Sequence, residues 1–223
     1  MENSLIYRNC GNTTLLDMLG PVAGRVLDCG CGAGDNAAIL SRAGWQVTGI
    51  TIDPAERDAA SPFCAAIVVA DLDDGLTPEV GDGFDAILFS HVLEHLKRPD
   101  VLLRGARSRL GPNGVIAVAL PNVLHYRQRA SFLKGDFNYT DTGMLDRTHL
   151  RFYTVTTGRK LLQEAGYEIL DARPEGGLPW RGLRKLVPSG LRRRLDSWAL
   201  RTWPNLFAWQ SLFIARVDRR GSK

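Results

Sequence analysis

The segment VLDCGCGAG (Val26 to Gly34) carries the strongest fold signal in the chain. A short apolar strand, Val22 to Cys29, runs into glycines at alternate positions, Gly30, Gly32 and Gly34. Asn36 to Ala43 then reads as a helix stopped by Gly44. Glycine allows a tight turn and lets a ligand approach the backbone, while the start of the helix offers unpaired N–H groups. The spacing is G-x-G-x-G, and Asp35 stands where a dinucleotide fingerprint carries its third glycine. With Asp28 just ahead of the loop, that departure favours a cationic nucleoside over a pyrophosphate.

On either side of this segment the rhythm of strand, turn and helix repeats. Trp45 to Ile52 (WQVTGITI), Ala66 to Ala70, Phe84 to Ser90 (FDAILFS) and Gly114 to Leu120 (GVIAVAL) read as further strands. The clearest separating helix is Asp100 to Leu110, ahead of a Gly-Pro-Asn-Gly turn. Near-continuous apolar strands alternating with helices imply an α/β fold whose parallel sheet is covered on both faces. Asp53 follows the second strand, where a carboxylate can hold ribose hydroxyls at the switch point of the sheet. Asp71 and Leu72 follow the third, suited to an adenine ring and its amino group.

Beyond the fifth strand the pattern changes. Residues 121–150 have weak periodicity and read as a substrate loop or cap. A helix over 154–165, with Thr154 as N-cap, and a strand from Tyr167 to Ala172 follow. Residues 176–205 form an insertion of two basic amphipathic stretches before the last strand, Leu206 to Val217. Residues 1–20 read as an N-terminal helical cap, and the whole of 1–223 as a single domain.

The formal net charge of +4 hides an asymmetry. Residues 1–172 carry 16 Lys+Arg against 21 Asp+Glu, whereas residues 173–223 carry 12 against 3. An acidic body with a basic C-terminal quarter is no general DNA binder, but the basic part suits an anionic partner. No run of roughly 18 apolar residues reads as a spanning helix, and no secretory signal is read at the N-terminus. Cys10, Cys29, Cys31 and Cys64 show no C-x-x-C spacing, so free thiols in a reducing cytosol are expected.

The chain resembles the class I S-adenosylmethionine-dependent methyltransferases over about residues 20–172 and the last strand. VLDCGCGAG is similar to their first motif, Asp53 to their ribose acid, Asp71-Leu72 to their adenine contact, and FDAILFSHVLEHL (Phe84 to Leu96) to their fourth strand and its turn. The resemblance implies a Rossmann-like sheet of seven strands, mostly parallel with the last antiparallel. It implies S-adenosylmethionine bound by Asp28, Gly30, Cys31, Gly32, Gly34, Asp53, Asp71, Leu72 and Ser90. Segments such as PNVLHYRQR and LDRTHLRFYT resemble a small-molecule and glycan-pathway subgroup, which implies a small-molecule or glycan acceptor.

The turn after the fourth strand carries Ser90-His91-Val92-Leu93 instead of the [ND]-P-P-[YF] motif that serves amino acceptors of bases and glutamine. Hydroxyl acceptors need a base or a metal to remove their proton, so O-methylation is expected. His91 and His149 are the candidate bases, since imidazole can be neutral near pH 7. His91, Glu94 and His95 would share a face if this turn opened a helix, and with His149 they offer a divalent-metal ligand set. A similar E-x-x-E-H with a later histidine occurs in ubiquinone-pathway O-methyltransferases and small-RNA 2′-O-methyltransferases. Here His91 replaces the first glutamate, and a bracing role without metal is the plainer expectation. His125, Tyr126, Arg147, Arg151 and Tyr153 are candidate acceptor contacts. Arginines and aromatic residues over 181–201 suit the anionic inner surface of a membrane or an anionic carrier, or else a lid. The rival readings are N- or C-methylation of a metabolite, and a non-catalytic accessory protein like those of methionine biosynthesis, which share the DLDDGL-like segment.

Overall fold

A computed structural model describes residues 10–21, 23–180, 182 and 185–219. Its strands are β1 (Arg25–Cys29), β2 (Gln46–Thr51), β3 (Ala66–Val69), β4 (Phe84–Ser90), β5 (Leu110–Pro121), β6 (Tyr167–Gly176) and β7 (Ala208–Val217). They form one seven-stranded sheet in the order β3-β2-β1-β4-β5-β7-β6. The first five run parallel, and β7 is antiparallel to both β5 and β6. The order reverses beside β1, so the ends of β1 and β4 open a crevice at the switch point.

The helices are α1 (Thr13–Asp17), α2 (Asp35–Arg42), α3 (Pro54–Ala60), α4 (Pro99–Ala106), α5 (Tyr126–Leu133), α6 (Val155–Glu164), α7 (Ser189–Thr202) and α8 (Pro204–Phe207). Successive strand residues feed opposite faces of the sheet. Leu27, Ile87, Phe89, Ile116 and Val118 pack with Leu102 and Leu103 of α4 and Leu162 of α6 on one face. Val26, Ala86, Leu88, Ala117 and Ala119 pack with Leu15 and Leu16 of α1 and with Ala37 and Leu40 of α2 on the other. This explains the continuous apolar runs of the central strands β1, β4 and β5, which are buried on both sides, whereas the edge strand β3 is not.

Several expectations shift. The Gly-Pro-Asn-Gly turn does not precede β5 but lies within it. Leu110 pairs with Phe84 and Val115 with Ala86, so the extra residues form a bulge. The segment 121–150 contains α5, none of whose residues is buried, so it has no apolar stripe to betray it. β6 continues to Gly176, and 189–202 is one continuous helix followed by the short α8. Arg181 and Arg184 of the expected first basic stretch lie outside the described residues, as do residues 1–9 of the N-terminal cap and Val22. The turn after β4 does not open an α-helix. Leu93–His95 is a single 3₁₀ turn, and His91 adopts a left-handed backbone with φ of 56°.

Candidate functional site

The glycine loop between β1 and α2 is shaped by backbone that side chains would block. Gly30 has φ of 71°, and a Cβ there would lie 2.6 Å from Val92 Cγ2. Gly34 has φ of 87°, and a Cβ there would meet the Ala60 backbone at 2.8 Å. The Cys31 N–H donates to the Ile50 carbonyl, which ties the loop to β2. Just ahead of the loop, the Asp28 carboxylate is fully buried with neither oxygen hydrogen-bonded. Burial pushes its pKa up to about 7.

The loop forms one wall of a cavity of about 920 Å³ at the strand ends. Gly30, Cys31 and Gly32 line it, with Thr51, Ile52 and Glu56 from the end of β2 and the start of α3. Asp71 and Leu72 after β3, and Ser90 and His91 after β4, complete the wall. Gly34 instead packs beneath, where it caps α2. Asp53 does not line the cavity: its side chain accepts from the Ala55 N–H at 2.8 Å and caps α3. The residues present fit a nucleoside, with close-approach glycines, exposed Ile52, Leu72 and Asp71 all lining the cavity, although one Asp71 oxygen already accepts from the Asp73 N–H at 2.9 Å.

The opposite wall comes from the turn after β4 and from 141–149. The backbone N–H groups of Leu150 and Arg151 both donate to the Glu94 carbonyl, so the distant segment is pinned on the turn. His149 and His95 then meet edge to face with ring centroids 4.6 Å apart. Ligand atoms of Glu94, His95 and His149 all lie within 4.8 Å of one another. Glu94 is fully buried and its carboxylate oxygens have no hydrogen-bond partner.

The hydrogen bonds fix which ring nitrogens carry protons. The His149 Nδ1 lies 3.2 Å from the Met144 carbonyl, a pure acceptor, so Nδ1–H donates and Nε2 is left with its lone pair. The Thr148 hydroxyl donates to Asp146 at 2.6 Å, so it accepts from His95 Nδ1 at 3.0 Å and again leaves Nε2 bare. Burial lowers the His95 pKa, favouring the neutral ring. Burial opposes the charge of Asp146, but hydrogen bonds from Thr148 outweigh it and hold that carboxyl below its usual value.

His91 stands apart from this trio. The Gln210 amide donates to Glu175 at 2.5 Å, which turns its oxygen toward His91 Nε2 at 2.7 Å. That nitrogen is therefore protonated. His91 Nδ1 sits 3.3 Å from Glu94 Oε1, within ion-pair range though not aligned as a hydrogen bond. Burial disfavours the charged ring, but Glu94 and Gln210 outweigh it and raise the pKa. Both nitrogens face protein acceptors.

Of the expected acceptor contacts, Arg147 lines the cavity, paired with Asp141 at 2.8 Å. Arg151 does not, because its guanidinium is tied to the carbonyls of Leu96 and Lys97. Tyr153 packs in the core, where burial pushes its hydroxyl up to about 12. His125 and Tyr126 line a second cavity of about 600 Å³ beside Glu175, Trp180 and Asp196; Trp209 borders both cavities. Sequence reasoning missed Thr51, Glu56, Asp146 and Thr148. The Asp-x-Thr-His spacing of the last two was a readable signal.

The family described as "Methyltransferase domain" matches residues 4–172. The ubiquinone biosynthesis O-methyltransferase of Xanthomonas axonopodis pv. citri is 33% identical over 110 residues, covering 47% of this chain and 46% of that protein. The protein of the same name from Azorhizobium caulinodans is 35% identical over 111 residues, 47% and 43% of the two chains. The matched part thus spans about half the length of these relatives. A SAM dependent methyltransferase from Archaeoglobus fulgidus superposes with a TM-score of 0.62 at 20% identity, over 90% of this chain and 89% of that one. The chain belongs to the methyltransferase-domain family and has the fold of the class I S-adenosylmethionine-dependent enzymes.

Proposed function

We propose that the protein methylates a hydroxyl of a small molecule or sugar, with proton removal assisted by the Glu94–His95–His149 cluster. The observation that carries this reading is that the glycine loop and the cluster line one cavity. S-adenosylmethionine, when bound, supplies a methyl group on an electrophilic sulfonium. Gly30, Cys31 and Gly32 hold it by close backbone approach, with Asp71, Leu72 and Ser90. Alignment of acceptor and donor accounts for much of the rate, but a hydroxyl must still lose its proton. His149 is the base, because the Met144 carbonyl fixes its tautomer and Nε2 is left to accept. His91, clamped between Gln210 and Glu94, positions the carboxylate instead. Arg147 at the rim suits an anionic or polyhydroxylated acceptor. The relatives named as O-methyltransferases support oxygen as the methylated atom. Transfer of labelled methyl to a panel of hydroxylated acceptors tests the reading; turnover on amines alone would overturn it, and no turnover with intact cofactor binding would favour the accessory role.

A specific observation favours a second version of the same chemistry. Glu94 is buried without a hydrogen bond, with His91 Nδ1 at 3.3 Å as its ion-pair neighbour, and a cation on its other side would offset the cost of burial further. Both neighbouring histidines have Nδ1 occupied by protein acceptors, the outer arrangement that orients metal-bound imidazoles. The three residues fit a divalent cation that would lower the acceptor's pKa. Turnover that survives exhaustive chelation excludes this version; turnover restored by added magnesium or zinc selects it.

The basic helix α7 is the proposed contact with an anionic surface. Leu191, Arg194, Trp198 and Arg201 form an exposed stripe, with Trp198 edge to face on Trp203 at 5.1 Å. Asp196 on the inner side accepts from the Leu178 and Trp180 N–H groups and docks the helix. No helix among the described residues is long and apolar enough to cross a membrane. Flotation with anionic vesicles at low salt tests a peripheral contact, and failure to float rejects it.

A further inference from the structure

We infer that Glu56, and not Asp53, is the carboxylate that holds the vicinal ribose hydroxyls of the bound nucleoside. The inference rests on the cofactor reading above. The cavity wall at the end of β2 needs an acceptor for those hydroxyls, and only groups that reach the cavity can supply it. Asp53 is spent on its own helix, accepting from the Ala55 N–H at 2.8 Å. Glu56, one turn further into α3, lines the cavity together with Thr51.

The Thr51 hydroxyl settles the orientation of that carboxylate. Thr51 is 2% exposed, so its hydroxyl must find partners inside the protein. It accepts from the Asp53 N–H at 3.3 Å and donates to Glu56 Oε2 at 2.6 Å. A hydroxyl has one proton, so this bond places Glu56 as the acceptor and holds its side chain across the end of β2. The other oxygen, Oε1, is left to accept from a ligand. A carboxylate fixed in this way suits a vicinal diol, whose hydroxyls both donate, and charge-assisted bonds of this kind are the stronger ones. Thr51 is thus a positioning residue and Glu56 a binding residue.

Calorimetry with S-adenosylhomocysteine and its 2′-deoxy analogue reads the contact directly. The unmodified protein is expected to prefer the ribose form by about 10- to 100-fold. Glu56→Gln should lose most of that preference, through weaker binding of the ribose form with the deoxy form little changed. Thr51→Val keeps the carboxylate but frees it, and should lower the preference by about threefold, on the order of one neutral hydrogen bond. Asp53→Asn retains a helix cap and should keep the preference. A Glu56→Gln protein that discriminates like the unmodified one overturns the inference, as does loss of discrimination in Asp53→Asn. If Glu56→Gln melts early, the Thr51→Val ratio decides: an unchanged ratio counts against the inference. Failure of the unmodified protein to bind either compound would instead sink the cofactor reading on which it rests.

Discussion

The two walls of the central cavity are built by different means. The cofactor wall is local: β1, β2, β3 and β4 each end at it, and each contributes the residues that directly follow the strand. The proposed acceptor wall is assembled at long range, with His149 brought to Glu94 by backbone N–H groups of Leu150 and Arg151 on one carbonyl. A wall made of strand ends is as rigid as the sheet. A wall made of a pinned segment depends on a few hydrogen bonds and can vary without disturbing the fold. Cofactor binding and proton removal should therefore be separable by mutation.

The largest expected effect lies on the pinned wall. His149→Ala should lower turnover by about 10²- to 10⁴-fold, the usual reach of a general base, while S-adenosylhomocysteine affinity measured by calorimetry stays the same. A parallel fall in affinity would mean that the walls are one unit. The reciprocal change is Gly30→Ala. Its Cβ would sit 2.6 Å from Val92 Cγ2, on a backbone with φ of 71°. Strain and crowding should cost about 1–3 kcal/mol in chemical denaturation and remove cofactor binding. Retained binding would show that the loop does not need its close approach.

The same division governs what the sequence discloses. VLDCGCGAG, FDAILFS and the strand residues are legible because their signals are short-range: glycines at fixed spacing, and apolar runs buried on both faces. Thr154 is legible for the same reason, since its capping box with Thr157 spans three residues. The acceptor wall is not. Nothing local tells that Arg151 is tied to Leu96 and Lys97, or that Tyr153 enters the core. α5 is not legible because none of its residues is fully buried, so it carries no periodic apolar stripe. Asp53 sits next to the strand end and reads as a ligand, yet a following Pro54 makes it a helix cap.

A pH test probes the buried strand end beneath the cofactor wall. The folded protein holds the Asp28 carboxyl at about 7, above the usual value of the unfolded chain. A raised acid is protonated in the fold while the unfolded chain has already released its proton. Below about pH 4 both states are protonated and nothing is lost. Stability then falls as pH rises toward 7, by up to about 1.4 kcal/mol per pH unit, and levels off above that. Asp28→Asn should remove this slope, which denaturation midpoints at pH 5, 6, 7 and 8 would show. Equal slopes in the two proteins would mean that Asp28 is ionised in the fold.

The smallest change probes how far the pinned wall is organised beyond Glu94 and His149. Thr148→Val keeps the side-chain shape but deletes the hydroxyl that links His95 Nδ1 to Asp146. His95 would lose the acceptor that sets its tautomer, so Nε2 would present a proton part of the time. Loss of such an orienting partner typically costs 10- to 100-fold in a metal site, and about tenfold in turnover is expected here. The melting temperature separates this from a packing defect. A tautomer effect lowers turnover without moving the melting temperature by more than a degree or two. A packing defect lowers both together, because the bond that the Thr148 N–H donates to Asp146 Oδ1 would be disturbed as well. A Thr148→Val protein with full turnover would place His95 outside the proposed proton-removing group and leave Glu94 and His149 to act as a pair.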